Sequence, residues 1–149
     1  MKVYRLALTQ YCDASGEGAK IYGGRWNLPG IPAVYAGSSV SASLLERLTI
    51  DPELLSSERY IRYSVMEITV PDQLVCLTKI EELPPDWNQI PAIRASMEYG
   101  SALLKSGVLC FGVPSVVDPS SLNYVINPLA ENFSLLELKS ILLSLTSGF

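Results

Sequence analysis

Histidine is absent from the 149 residues of this chain, and its absence removes several chemistries at once. Ser-His-Asp and Cys-His catalysis both need an imidazole base, so neither is open to it. Zinc sites with His ligands are excluded as well. Cysteine is scarce: Cys12, Cys76 and Cys110 lie far apart and form no CxxC pair. Such a set fits reduced thiols in a cytosolic protein better than a disulfide framework, and no metal site is expected. Runs of Lys or Arg are missing, and the net charge is −4. Without a basic stripe, direct contact with nucleic acid is not expected. Long apolar runs are missing too. Leu135 to Leu145 is rich in Leu but short, and it carries Glu137 and Lys139; a bilayer span needs about 20 apolar residues. The N-terminal stretch MKVYRLALTQ is broken by Arg5 and does not read as a signal peptide. A cytoplasmic protein with no membrane contact is expected.

What remains is 48% hydrophobic and 17% charged, a composition that folds rather than stays disordered. The length suits one domain over residues 1–149. Val3–Leu8 and Ala33–Ala36 read as strands, and Tyr60–Val70 as an alternating strand of ambiguous burial. Ser38 or Ser39 can cap a helix running to Leu48. Ile93–Lys105 reads as a helix stopped at Gly107, and Val108–Val113 as a buried strand ended by Pro114. Thr9–Asn27, Pro71–Asn88 and Ser115–Asn127 read as loop or irregular structure, and Ser134 as the cap of a last helix to about Leu145. The sum is an α+β fold, a mixed central sheet with flanking helices.

Several residues could carry chemistry. Arg25 follows two glycines in GGRWN; a guanidinium grips phosphate with paired hydrogen bonds, and flanking Gly24 lets backbone approach a diphosphate. A surface arginine on a loop would look the same. Tyr35, in the strand VYA, is either core or a ring and hydroxyl offered to a ligand. Glu46 sits in the otherwise apolar helix SASLLERL, at a solvent edge or aimed into a cleft, where it could stabilise developing positive charge. Ser115, Asn123 and Asn127 place small hydrogen-bonding groups after a buried strand, for turns or for a ligand.

Taken in order, GGRWN, PAVYAG, SSVSASLLERL, VPSVV and NYVINP resemble the RES domain, from Tyr4-Arg5 to Asn127-Pro128. The family is named for an Arg, a Glu and a Ser, matched here by Arg25, Glu46 and Ser115. The resemblance implies a fold like that of ADP-ribosyltransferases. It also implies a toxin of a bacterial toxin–antitoxin pair that depletes NAD⁺, by hydrolysis or phosphorolysis, with some members linked to ADP-ribosylation of a protein. NAD⁺ would be the substrate, with no metal needed. The partner implied is an Xre-type helix-turn-helix antitoxin, with a homodimer within that complex as a further expectation.

Carried over residue by residue, the resemblance implies that Arg5 and Arg25 hold the dinucleotide, Tyr35 and Ser115 flank the nicotinamide ribose, and Glu46 is the key acid. Gly24, Asn27, Asn123 and Asn127 are expected around the same ligand. The chemistry is self-consistent: cleavage of the nicotinamide–ribose bond passes through an oxocarbenium-like state with a cationic leaving group. A placed carboxylate and a gripped diphosphate therefore suffice, and no histidine is needed. Two departures stand out. Members commonly carry a His in the helix after the Glu and another after Asn-Pro, where this chain reads ERLTIDPE and NPLAENFS. Many also end in an acidic-proline-arginine tail, where this chain ends Thr146-Ser147-Gly148-Phe149. A protein ADP-ribosyltransferase using the same site is the near alternative, and a non-catalytic nucleotide- or partner-binding module the distant one.

Overall fold

The apolar run near the N-terminus forms strand β1 (Lys2–Leu8), and the computed structural model describes residues 1–143. Helix α1 (Glu17–Tyr22), strand β2 (Val34–Gly37), helix α2 (Val40–Leu48) and strand β3 (Tyr63–Thr69) follow. The second half adds β4 (Val75–Leu77), helix α3 (Arg94–Lys105), β5 (Cys110–Pro114), β6 (Leu122–Ile126) and β7 (Glu137–Leu142). The strands join in one seven-stranded sheet of order β4-β5-β6-β2-β1-β3-β7. Only β4 and β5 run parallel; every other neighbouring pair is antiparallel. This is the α+β fold with a mixed sheet and few helices that the sequence implies.

Side chains of a strand alternate between faces, and the core divides accordingly. Phe111, Val113 and Val125 point to the α3 side and pack with Leu104 and Trp26. Val3, Val34, Ile68, Cys110 and Ile126 fill the opposite face. Leu6, Tyr63 and Val65 pack with Leu54 and with Val40, Leu44 and Leu48, which belong to α2. Fully burying a side chain of this kind is worth about 1.5–3 kcal/mol. One detail positions the site. β1 matches β3 over its whole length, but it meets β2 only at Tyr4↔Gly37. The sheet therefore splays open between β1 and β2, in its middle.

Four sequence expectations need correcting. The glycine-rich stretch before Arg25 contains α1, entered from Gly16 at φ +70°, a left-handed conformation that glycine adopts without strain. No residue of α1 is buried, so it left no apolar periodicity to read. The Pro71–Asn88 loop contains β4, and the irregular Ser115–Asn127 stretch contains β6. The last helix expected from Ser134 is instead strand β7, paired with β3 from Thr69↔Glu137 to Ser64↔Leu142. Its expected end at Leu145 and the Thr146–Phe149 tail lie outside the described residues. Among the described residues, no helix is long and apolar enough to cross a membrane.

Candidate active site

Glu46 reaches its place through a chain of close fits along α2. Ser39 caps the helix, its Oγ accepting from the Ala42 N–H at 3.0 Å. One turn on, the Ser43 hydroxyl donates to the Tyr4 carbonyl at 2.7 Å and pins the helix to β1. This approach needs Gly37, where a Cβ would lie 2.6 Å from Ser43 Oγ. Three residues later, Glu46 Oε1 accepts from Ser115 Oγ at 2.6 Å and from Asn123 Nδ2 at 2.6 Å. Ser115 itself is only 2% exposed, and its Oγ accepts from the Val117 and Asp118 amides at 3.2 and 3.1 Å. Its single proton is spent on Glu46. Ser115 is therefore built to orient a carboxylate, not to attack a substrate.

Arg25 sits at the tip of a narrow turn closed by paired Gly24–Asn27 backbone bonds of 3.0 and 3.3 Å. Asn27 is fully buried and holds the turn from inside. Its Nδ2 donates to the Ala19 and Ile31 carbonyls, each at 2.9 Å, and to that of Leu28 at 3.3 Å. Its Oδ1 accepts from the Tyr35 hydroxyl at 2.6 Å, and that hydroxyl in turn accepts from the Trp26 amide at 3.0 Å. A Cβ on Gly24 would come within 2.6 Å of the same hydroxyl. Behind the turn, buried Trp26 packs against Trp87 and Tyr99, ring centroids 6.3 and 6.0 Å away. Gly100 on α3 leaves room for the Trp26 carbonyl, and Ser101 Oγ accepts from the Leu28 amide at 2.8 Å. The guanidinium is steered by its Nη1, which donates to the Trp87 and Gln89 carbonyls at 2.9 and 2.7 Å.

These pieces surround a cleft of about 550 Å³, within the range that holds small-molecule ligands. Arg5, Gly24, Arg25, Tyr35, Glu46 and Asn123 all line it. Ser115 stands behind Glu46. Asn27 and Asn127, expected around the ligand, are spent on the fold instead. Asn127 is buried, donates to the Leu104 carbonyl at 3.0 Å and accepts from the Leu129 amide at 3.0 Å. Tyr35 likewise offers its ring rather than its hydroxyl, whose proton is already taken; burial also pushes its pKa well up. The Arg25 pKa is lowered by burial, and the nearby Glu46 charge acts against that shift.

Arg47 also lines the cleft and was missed in the sequence. Its neighbour Glu46 was conspicuous as a charge among leucines, whereas an adjacent residue on a helix ordinarily faces elsewhere. Here Arg47 Nε donates to the buried Tyr63 hydroxyl at 3.2 Å, which directs it to the same opening. Chemically, the cleft offers one oriented carboxylate, an aromatic ring and three cations.

Comparison with known proteins bears on the family and the fold. The RES domain family model matches residues 2–144. A protein of Photorhabdus laumondii called Toxin Res is 38% identical over 138 residues, covering 89% of this chain and 85% of its own. The Prs ADP-ribosylating toxin of a Sphingobium species is 39% identical over 121 residues, covering 78% and 73%. Among solved structures, the M. tuberculosis MbcT-MbcA toxin-antitoxin complex contains a chain that superposes with a TM-score of 0.76. That match covers 96% of this chain and 84% of the other, at 24% identity, and so speaks for the fold.

Proposed function

The chain belongs to the RES domain family, and from that premise we propose that it is a toxin that cleaves the nicotinamide–ribose bond of NAD⁺ and is held in check by an antitoxin. The observation that carries this reading is the Glu46 carboxylate, fixed by Ser115 and Asn123 within a cleft that also holds Arg25. Oε1 takes both bonds. Among the described residues nothing donates to Oε2, which is left for the ribose hydroxyl. As nicotinamide departs, positive charge grows on the sugar, and a pre-oriented carboxylate stabilises that charge without having to reorganise. Arg25 supports the diphosphate through Nε and Nη2, because Nη1 is held by loop carbonyls. The Tyr35 ring supplies a flat face for nicotinamide.

A second reading rests on the Sphingobium relative, whose name describes transfer of ADP-ribose to Prs. Transfer to a protein uses the same carboxylate and differs only in the acceptor. The partner side of the proposal is an Xre-type antitoxin that covers the cleft; the fold neighbour was itself solved as a toxin-antitoxin complex.

Purified chain, free of antitoxin, is expected to consume NAD⁺ and release nicotinamide. Glu46→Gln should lower kcat by roughly 10²–10³-fold, the scale of losing one electrostatic stabiliser of a transition state. Mass analysis of the product with and without inorganic phosphate or cell extract separates ADP-ribose, its phosphate and a labelled protein. Wild-type turnover by Glu46→Gln removes the mechanism. NAD⁺ binding with no turnover by the wild type identifies a binding module instead.

A further inference from the structure

Charge in the cleft does not balance. Arg5, Arg25 and Arg47 line it against the single carboxylate of Glu46. None of the three arginines has a carboxylate within 4.0 Å among the described residues, whereas Arg59 and Arg94 do, at 2.7 and 2.8 Å. The Glu46 charge acts on the Arg25 guanidinium. The two cations at the β1 side of the cleft have acidic neighbours only outside its lining, Asp13 near Arg5 and Asp51 near Arg47, and among the described residues neither arginine forms an ion pair with them.

Arg5 donates from Nη2 to the Tyr11 carbonyl at 3.1 Å, but its Nε is buried with no partner among the described residues. Burial lowers its pKa, Cys12 and Asp13 act against that shift, and the Arg47 charge adds to it in smaller measure. Such an arrangement, two like charges and an unmet buried donor, costs stability until an anion arrives. The fold nevertheless spends structure on it. Arg47 lies 5.7 Å from the Tyr63 ring centroid and donates from Nε to the Tyr63 hydroxyl; that hydroxyl donates to Asp51, which Arg59 also holds. Tyr63 is 2% exposed, so this support is buried and rigid.

We propose that Arg47, with Arg5, forms a phosphate-binding subsite of the cleft, with Tyr63 as its positioning residue. Two sources offer the same chemistry: a phosphate of the dinucleotide itself, and free inorganic phosphate entering as co-substrate. Free phosphate brings close to two negative charges and a dinucleotide phosphate one, against the excess of two that the cleft lining carries once Glu46 has offset one of its three cations. The dinucleotide source rests on the NAD⁺ reading above; binding of free phosphate does not.

Calorimetric titration with inorganic phosphate tests the subsite directly, comparing wild type with Arg47→Gln and Arg47→Lys at matched ionic strength. Steady-state kinetics with NAD⁺, at several phosphate concentrations, then identifies the source. Saturable phosphate binding that weakens roughly tenfold in Arg47→Gln and partly returns in Arg47→Lys supports the subsite. Acceleration of NAD⁺ loss by phosphate marks free phosphate as the occupant; competition with NAD⁺ marks the dinucleotide. A KM for NAD⁺ raised about tenfold in Arg47→Gln, with no phosphate isotherm, also marks the dinucleotide. Tyr63→Phe keeps the ring and loses only the hydroxyl, so its KM for the occupant should rise by about fivefold with kcat unchanged. The proposal is overturned if Arg47→Gln matches wild type in both phosphate affinity and KM for NAD⁺. A wild type that binds phosphate but never turns over NAD⁺ overturns the reading above and leaves the subsite standing.

Discussion

At the scale of single residues, Ser115 shows how a side chain can shape a site without lining its cleft. Its hydroxyl proton goes to Glu46, its lone pairs are taken by two backbone amides, and it is buried. Ser115→Ala should therefore act through Glu46. Asn123 still holds the carboxylate, and a hydrogen bond to a charged group is worth about 1.5–3 kcal/mol, so kcat is expected to fall roughly ten- to hundredfold while KM for NAD⁺ stays within about twofold. Steady-state kinetics beside a thermal melt checks this. A raised KM with unchanged kcat would show that the serine contacts ligand instead. Glu46 was legible in the sequence because a charge among leucines invites explanation. Asn27 was not, because an asparagine inside a glycine-rich loop reads the same whether it faces a ligand or three carbonyls. Only the surrounding structure separates the two.

Among the elements, those with strong local signals could be read from sequence: β1, β2, β5, the Ser39-capped α2, and α3. Others follow from distant pairing. β6 is LNYVI flanked by Ser, Asn and Pro, which locally favour turns; its strand form is imposed by β2 on one side and β5 on the other. β7, ELKSIL, carries Glu, Lys and two Leu, which suit a helix, but its ladder with β3 overrides that preference. Packing between elements is equally invisible from sequence, and Gly100 exposes it. Replacing a mid-helix glycine by alanine ordinarily gains about 0.5–1 kcal/mol. In α3, the added methyl would run into the Trp26 carbonyl and push the helix off the Arg25 turn. Gly100→Ala is expected to cost about 1–3 kcal/mol and to weaken NAD⁺ binding. Gly18→Ala on α1, with nothing within 4 Å, should be neutral or stabilising. Urea unfolding of both variants decides the matter, and a stabilised Gly100→Ala would show that α3 does not clamp the turn.

For the whole molecule, the notable contrast is a net charge of −4 around a cleft carrying three arginines and one glutamate. An anionic dinucleotide meets overall repulsion and local attraction. Both are screened by salt, but the exposed approach is screened more than the recessed site. Contacts within the cleft dominate the binding of an anion there, so kcat/KM for NAD⁺ should fall severalfold as ionic strength rises from about 0.01 to 0.15 M. A flat or rising profile would mean that the arginines do not meet the substrate's phosphates. The wiring of the site has one more consequence, this time in time rather than space. Glu46 obtains its two hydrogen bonds from residues 69 and 77 positions further along the chain. While a ribosome has yet to reach Ser115, the emerged part carries the carboxylate without its clamp, and β2 without the neighbour it pairs with in β6. A partly synthesised copy is thus unarmed. On the proposed reading, the cell meets the toxin's activity only after Asn123 has been made and has docked, which leaves an inhibitor that interval in which to accumulate.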